Sequence, residues 1–144
     1  MREILFRAKA INRIEGREYR TSYKNGDWVY GLVTEMYDDR FPNLPATMRN
    51  TDGVSNIDVD YKSIGQYTGL TDKNGKKIFE GDIVERLWLG EKHIYRIYYD
   101  NDIASFIGAD IYSEGFTTFD YDACEFEVIG NIHDNPELLL NYNK

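Results

Sequence analysis

The sequence predicts a mainly β protein, and three observations carry that prediction. Short segments that alternate apolar and polar residues recur from residue 2 to residue 129, the pattern of strands with one covered face. Asn25-Gly26, Asn74-Gly75 and Gly81-Asp82 punctuate them, and such pairs turn a chain sharply. Aromatic residues, which favour strands, make up 15% of the chain, with 12 Tyr, 7 Phe and 2 Trp.

In order, residues 2–8 alternate as a first strand, with Ile4 and Phe6 on one face and Leu5 on the other. Residues 12–27 are charged and poor in aliphatics, which reads as an extended loop or hairpin closing at Asn25-Gly26. Residues 28–33 form a strand with Gly31 inside it, a sign of a bulge or a close backbone approach. Residues 37–53 carry Pro42 and Pro45, which remove donors and restrict their neighbours, so a loop without regular pairing is expected there. Residues 54–61 alternate as a short strand.

Residues 64–84 are the centre of the chain. Asn74-Gly75 predicts a hairpin with a type I′ turn, whose two central residues both need φ > 0. Leu70, Ile78 and Phe79 give its arms something to bury, while Lys73, Lys76 and Lys77 keep its tip wet. Gly81-Asp82 then opens a strand over residues 83–89 with one exposed face. A Gly-Asp pair before a strand is a common entry into small SH3-like barrels, an analogy of fold that carries no function. Further strands follow over 93–99, joined to the last at Gly90-Glu91, then over 103–107, 116–119 and 124–129. Asn135-Pro136 predicts a short helix, with Asn capping the free amides and Pro in the first turn. Leu138, Leu139 and Tyr142 would pack it back on the strands.

The run Ile64-Gly65-Gln66-Tyr67-Thr68-Gly69-Leu70-Thr71-Asp72-Lys73-Asn74-Gly75-Lys76-Lys77-Ile78-Phe79-Glu80-Gly81-Asp82-Ile83-Val84 resembles the core motif of the YopX-like proteins of bacteriophages and prophages of Gram-positive bacteria. Arg2-Glu3-Ile4-Leu5-Phe6-Arg7 with Gly26-Asp27-Trp28-Val29-Tyr30-Gly31 resembles the family's opening. The stretch from Phe126 through Ile129-Gly130-Asn131-Ile132-His133-Asp134-Asn135-Pro136 to Leu139 resembles its ending. These segments stand in the family's order over nearly the whole chain. Residues 9–24 depart from it, being longer and more charged, and Ala8 stands where Gly is usual. The resemblance implies a β-rich fold with an SH3-like barrel, homo-oligomers, and no activity or catalytic residues to transfer.

A chain of 144 residues buries roughly two-thirds of its unfolded surface, enough for a real core. No run of about 18 apolar residues occurs, so no membrane span is expected, and no basic-then-apolar leader is read. Cys124 is the single Cys, which suits a reducing cytoplasm, here that of a bacterial host. The net charge of −8 disfavours unspecific nucleic-acid binding. It is unevenly spread: residues 1–24 carry seven basic groups and three acidic ones, whereas residues 97–143 carry ten acidic groups and no Lys or Arg. Such opposite patches either neutralise each other within a chain or set register between copies.

No constellation of chemistry-bearing residues outweighs its plainer explanation. His93, His133 and Cys124 lack metal-ligand spacing, and a strand His, a helix-proximal His and a buried Cys account for them. Asp100/Asp102 and Asp120/Asp122 suit a hard cation in type but read as solvated turn acids. Glu80 and Asp82 are two apart, as acid–base pairs are, but turn chemistry explains both. Gly65-Gln66-Tyr67-Thr68-Gly69 lacks the Lys of a phosphate-binding loop. A basic tip with Tyr67 and Phe79 nearby is the makeup of a single-strand binder, though tip lysines more often serve solvation.

The expected architecture is therefore mainly β: residues 1–63 as N-terminal strands with a long Pro-containing loop, and residues 64–144 as an SH3-like small barrel with a short C-terminal helix. One compact domain is the alternative. The expected role is a non-enzymatic phage or prophage accessory protein, a homo-oligomer that binds a protein partner. Its contact surface is read at Tyr67, Lys73, Lys76, Lys77 and Phe79. No catalytic residue, cofactor, metal or membrane is expected. Nucleic-acid binding through the 73–77 hairpin, or nucleic-acid mimicry by acidic residues 100–137, is the alternative, and a metal-dependent hydrolase ranks last.

Overall fold

The computed structural model describes residues 2–11, 23–36, 40, 45–51, 56–113, 115–118 and 125–140. Its elements are strands, apart from a 3₁₀ turn and one four-residue helix. The chain divides into two units, Met1–Gln66 and Tyr67–Lys144.

In the first unit, β1 (Phe6–Lys9), β2 (Trp28–Glu35), β3 (Ala46–Asn50) and β4 (Asn56–Val59) pair antiparallel in succession. The ladder returns on itself, because Ala10 bridges Val59, Ile11 N–H donates to the Asp58 carbonyl and Asp60 N–H donates to that of Lys9. These pairings join the first and last of the four strands. Alternation directs Ala8, Val29, Ala46, Met48, Ile57 and Val59 into one core. Gly31 sits where β2 and β3 meet most closely, since a Cβ there would overlap the Arg49 carbonyl. Asp60 caps the 3₁₀ turn Tyr61–Ser63 by accepting the Lys62 amide at 3.0 Å. After that turn β5 (Gly65–Thr71) begins alongside β1, Phe6 facing Gln66.

Strand β3 corrects the expectation of an unpaired loop over residues 37–53. Ala46, Met48 and Asn50 point inward and Thr47 and Arg49 outward, a period-2 pattern that the two prolines before it obscured. Pro42 lies outside the described residues, and Pro45 precedes the strand, where its missing donor costs no ladder bond. The strand expected from residue 54 is observed over Asn56–Val59, and residues 52–55 lie outside the described set.

In the second unit β5 continues beside β6 (Lys77–Phe79). Five strands form a linear antiparallel sheet in the order β10 (Phe116–Thr118), β9 (Ser105–Asp110), β8 (Glu91–Asp100), β7 (Asp82–Trp88), β11 (Glu127–Asn131). Val84, Tyr95, Ile97 and Phe126 are core on one face, with Ile78. The other face also carries buried residues, Ile83, Ile94 and Ile107. Strand β7 thus enters with both faces covered, not with one exposed as expected.

Helix α1 (Glu137–Leu140) ends the described chain. Asn135 does not cap it as expected: its Oδ1 accepts the Asn131 amide at 3.2 Å, tying the turn back to β11. Leu138 and Leu139 are half-buried, while Tyr142 lies outside the described residues. The strand expected over 103–107 starts later, at Ser105, because Asp100 Oδ1 accepts the Asp102 amide at 2.8 Å and holds 101–104 in a turn.

Candidate interaction surface

The residues singled out in the central hairpin separate into an interior pair and a wet tip. Tyr67 and Phe79 face each other across β5 and β6, ring centroids 5.6 Å apart, and both are buried. Lys77 is exposed, with its Nζ 5.6 Å from the Tyr67 centroid. Lys73 pairs with Glu127 at 3.1 Å, and Lys76 is exposed. These five residues lie close along the chain, but the two rings pack tilted against each other in the interior, out of reach of a strand laid on the surface.

Asp72 organises this tip. Its carboxylate accepts the amides of Asn74 and Lys76 at 2.9 Å each and that of Val128 at 3.0 Å. Burial by itself raises the pKa of this buried carboxyl, but the Val128, Lys76 and Asn74 amides, with the charge of Lys76, hold it below its ordinary value. The turn is consequently not type I′. Gly75 is at φ 80 while Asn74 is not at positive φ, and the Gly75 amide donates to the Asp72 carbonyl at 3.0 Å. Lys73-Asn74-Gly75 is the three-residue loop that ends in a left-handed glycine.

The other candidates resolve into structural roles. Asp82 is 1% exposed and accepts the Phe79 amide at 2.8 Å, which locks the entry to β7; Glu80 is half-buried in the preceding turn. His93 lies 3.5 Å from Asp110 and stacks beside Tyr95. His133 stands in the turn after β11, held by Asn131 Oδ1, which accepts the His133 and Asp134 amides. Cys124, Asp120 and Asp122 lie outside the described residues. Among the described residues no three of His, Cys, Asp and Glu converge on one point.

The surface that sequence reading missed is the tip of the β7–β8 hairpin. Leu87, Trp88 and Leu89 are 71%, 49% and 89% exposed. Trp88 pairs with Glu91, leaving Leu89-Gly90 as a two-residue loop with φ 51 and 79. Those positive angles are those of a type I′ turn, one residue earlier than the expected Gly90-Glu91 junction. Its first position favours Asn, Asp or Gly, and here it holds Leu. Left-handed backbone costs an L-residue roughly 1–2 kcal/mol, and burial returns none of it, since Leu89 is almost wholly exposed. Behind the tip the Arg86 guanidinium lies 5.0 Å from the Trp88 ring and 4.9 Å from that of Phe126, so Trp88 stands on a cation rooted in the core. The signal in the sequence is Leu-Trp-Leu running into Gly90, where a polar turn is normal.

The model of the YopX protein family matches residues 14–140. The chain belongs to the YopX family. Among solved structures, this YopX-family chain is similar to the crystal structure of protein EF1440 from Enterococcus faecalis, at 24% identity and a TM-score of 0.48, over 95% of this chain and 98% of that one. No curated protein matches it. Among the described residues of this YopX-family chain, no helix is long and apolar enough to cross a membrane.

Proposed function

We propose that this YopX-family chain is a non-enzymatic phage or prophage accessory protein, working in the host cytoplasm as an oligomeric protein-binding module, and that the β7–β8 tip is its contact surface. The observation that carries the reading is Leu89, a large apolar side chain that is both exposed and held at positive φ. Strained, exposed apolar residues are retained where a contact made elsewhere compensates for them. Trp88 beside it is the residue type that most often anchors a protein interface. Family membership supports the phage or prophage setting.

The test is a photo-crosslinking residue introduced at position 88 in cells producing the protein, with one at exposed Lys62 as control. Capture of protein at 88 and not at 62 is the expected result. Equal capture at both positions, or none at 88, overturns the reading.

A further inference from the structure

The end of the five-stranded sheet that carries the β7–β8 tip joins two kinds of surface. Strand β9 leaves the sheet at this same end, where the Ile111 amide donates to the Ile94 carbonyl at 3.1 Å, and Tyr112 just beyond is 51% exposed. Together with Leu87, Trp88 and Leu89 it leaves large apolar side chains in solvent. Acidic groups border them. Exposed Glu91 pairs across the hairpin with Trp88. Strand β11 runs antiparallel to β7 and its first residue, Glu127, pairs with Glu85, so exposed Glu125 just before it lies on the tip side.

The cations beside these groups are already engaged. Lys92 lies 3.5 Å from Glu85, Lys73 lies 3.1 Å from Glu127, and the Arg86 guanidinium is held 5.0 Å from the Trp88 ring. The wider field has the same sign. Residues 67–144 hold 15 acidic and 7 basic groups, a net of −8, whereas residues 1–66 hold 10 of each. The tip is therefore an apolar centre with an anionic border, the division on which protein interfaces are built. Such an end repels nucleic acid and anionic lipid, and it repels a second tip. A two-residue loop headed by Leu89 is convex, so what covers it is concave. A cleft deep enough to take Leu89 and Trp88 out of water brings its own rim against Glu91 and Glu125, and positive charge on that rim favours the encounter.

We infer that the partner of the tip is a different protein with a concave apolar pocket rimmed by Lys and Arg. The pocket takes Trp88 and Leu89, and its cations meet Glu91 and Glu125. This rests on the tip being a contact surface, as proposed above, and adds the chemistry of what it meets.

Photo-crosslinking from position 88 in producing cells, repeated with single charge changes, tests it. Glu91→Lys and Glu125→Lys reverse the border. Asp102→Lys changes the net charge of the chain equally, but in the exposed turn at the opposite end of β8. Capture of another protein at 88 falls about fivefold in each border variant, since an attraction is replaced by a repulsion, and is unchanged in Asp102→Lys. Glu91→Gln, which removes a charge without adding one, gives a smaller loss than Glu91→Lys. The crosslink maps to a basic segment of the captured protein. Undiminished capture in both border variants, equal loss in all three Lys variants, a crosslink in an acidic or uncharged segment, or capture of a second copy alone overturns the inference while leaving the tip a contact surface. No capture at 88 removes both readings.

Discussion

Two residues set the local energetics of this protein in opposite senses. Asp72 gathers three backbone amides from two parts of the chain, those of Asn74 and Lys76 and that of Val128. Asp72→Ala strands these donors, with an expected loss of about 3 kcal/mol, read by urea denaturation. Because the folded carboxyl titrates below its unfolded value, its contribution is complete above the unfolded pKa and is lost as pH falls toward the folded one. The wild type therefore loses stability below about pH 4 more steeply than Asp72→Asn, and thermal melts across that range check the difference. Leu89 acts the other way. At φ 51 and fully in solvent it adds strain and no packing. Leu89→Asn restores the residue that a type I′ turn prefers, so it raises stability by about 1 kcal/mol while weakening the contact. A thermal melt and an association measurement on that one variant read both effects.

Among the elements, the β2–β3 pair and the β7–β8 hairpin show what alternation reveals and what it conceals. Gly31 stood out as a glycine within a strand, and its reason is the Arg49 backbone pressed against it. Gly31→Ala must separate the two strands, an expected loss of more than 2 kcal/mol by denaturant titration, because backbone rather than a flexible side chain has to yield. Strand β3 stayed hidden, since Ala46, Met48 and Asn50 form a weak apolar series behind two prolines. The turn types were exchanged for a similar reason. Asn74-Gly75 has the letters of a type I′ turn, but the Asp72 side chain captures the amides of Asn74 and Lys76 and imposes a three-residue loop. Leu89-Gly90 lacks those letters, yet the six-pair register between β7 and β8 leaves only two residues to turn in. A side-chain hydrogen bond in the first place and strand register in the second overrode the preference of the two turn residues.

For the molecule as a whole, charge and exposed apolar surface are distributed together. The second unit carries the net −8 and the Leu-Trp-Leu tip, and the first unit holds as many cations as anions. Binding of a protein partner at the tip, as proposed above, is therefore expected to weaken, without vanishing, as salt is raised, because screening removes the attraction of charges but not the apolar contact. Sedimentation across a salt series checks this. Association that strengthens with salt would mean that like charges, and so a different pair of surfaces, meet.

The sequence by itself determined the β class, most strand positions, the sites of the bends and the family, because alternation, turn residues and motif order are properties of neighbours along a chain. It also exposed the charge gradient, which is a matter of counting. Only the tertiary structure decided which aromatic residues face inward. Tyr67 and Phe79 looked like a surface pair and are interior, while Trp88 looked like an ordinary strand residue and stands in solvent. Alternation says that two faces differ but not what covers each, and that depends on strands brought together from far along the chain.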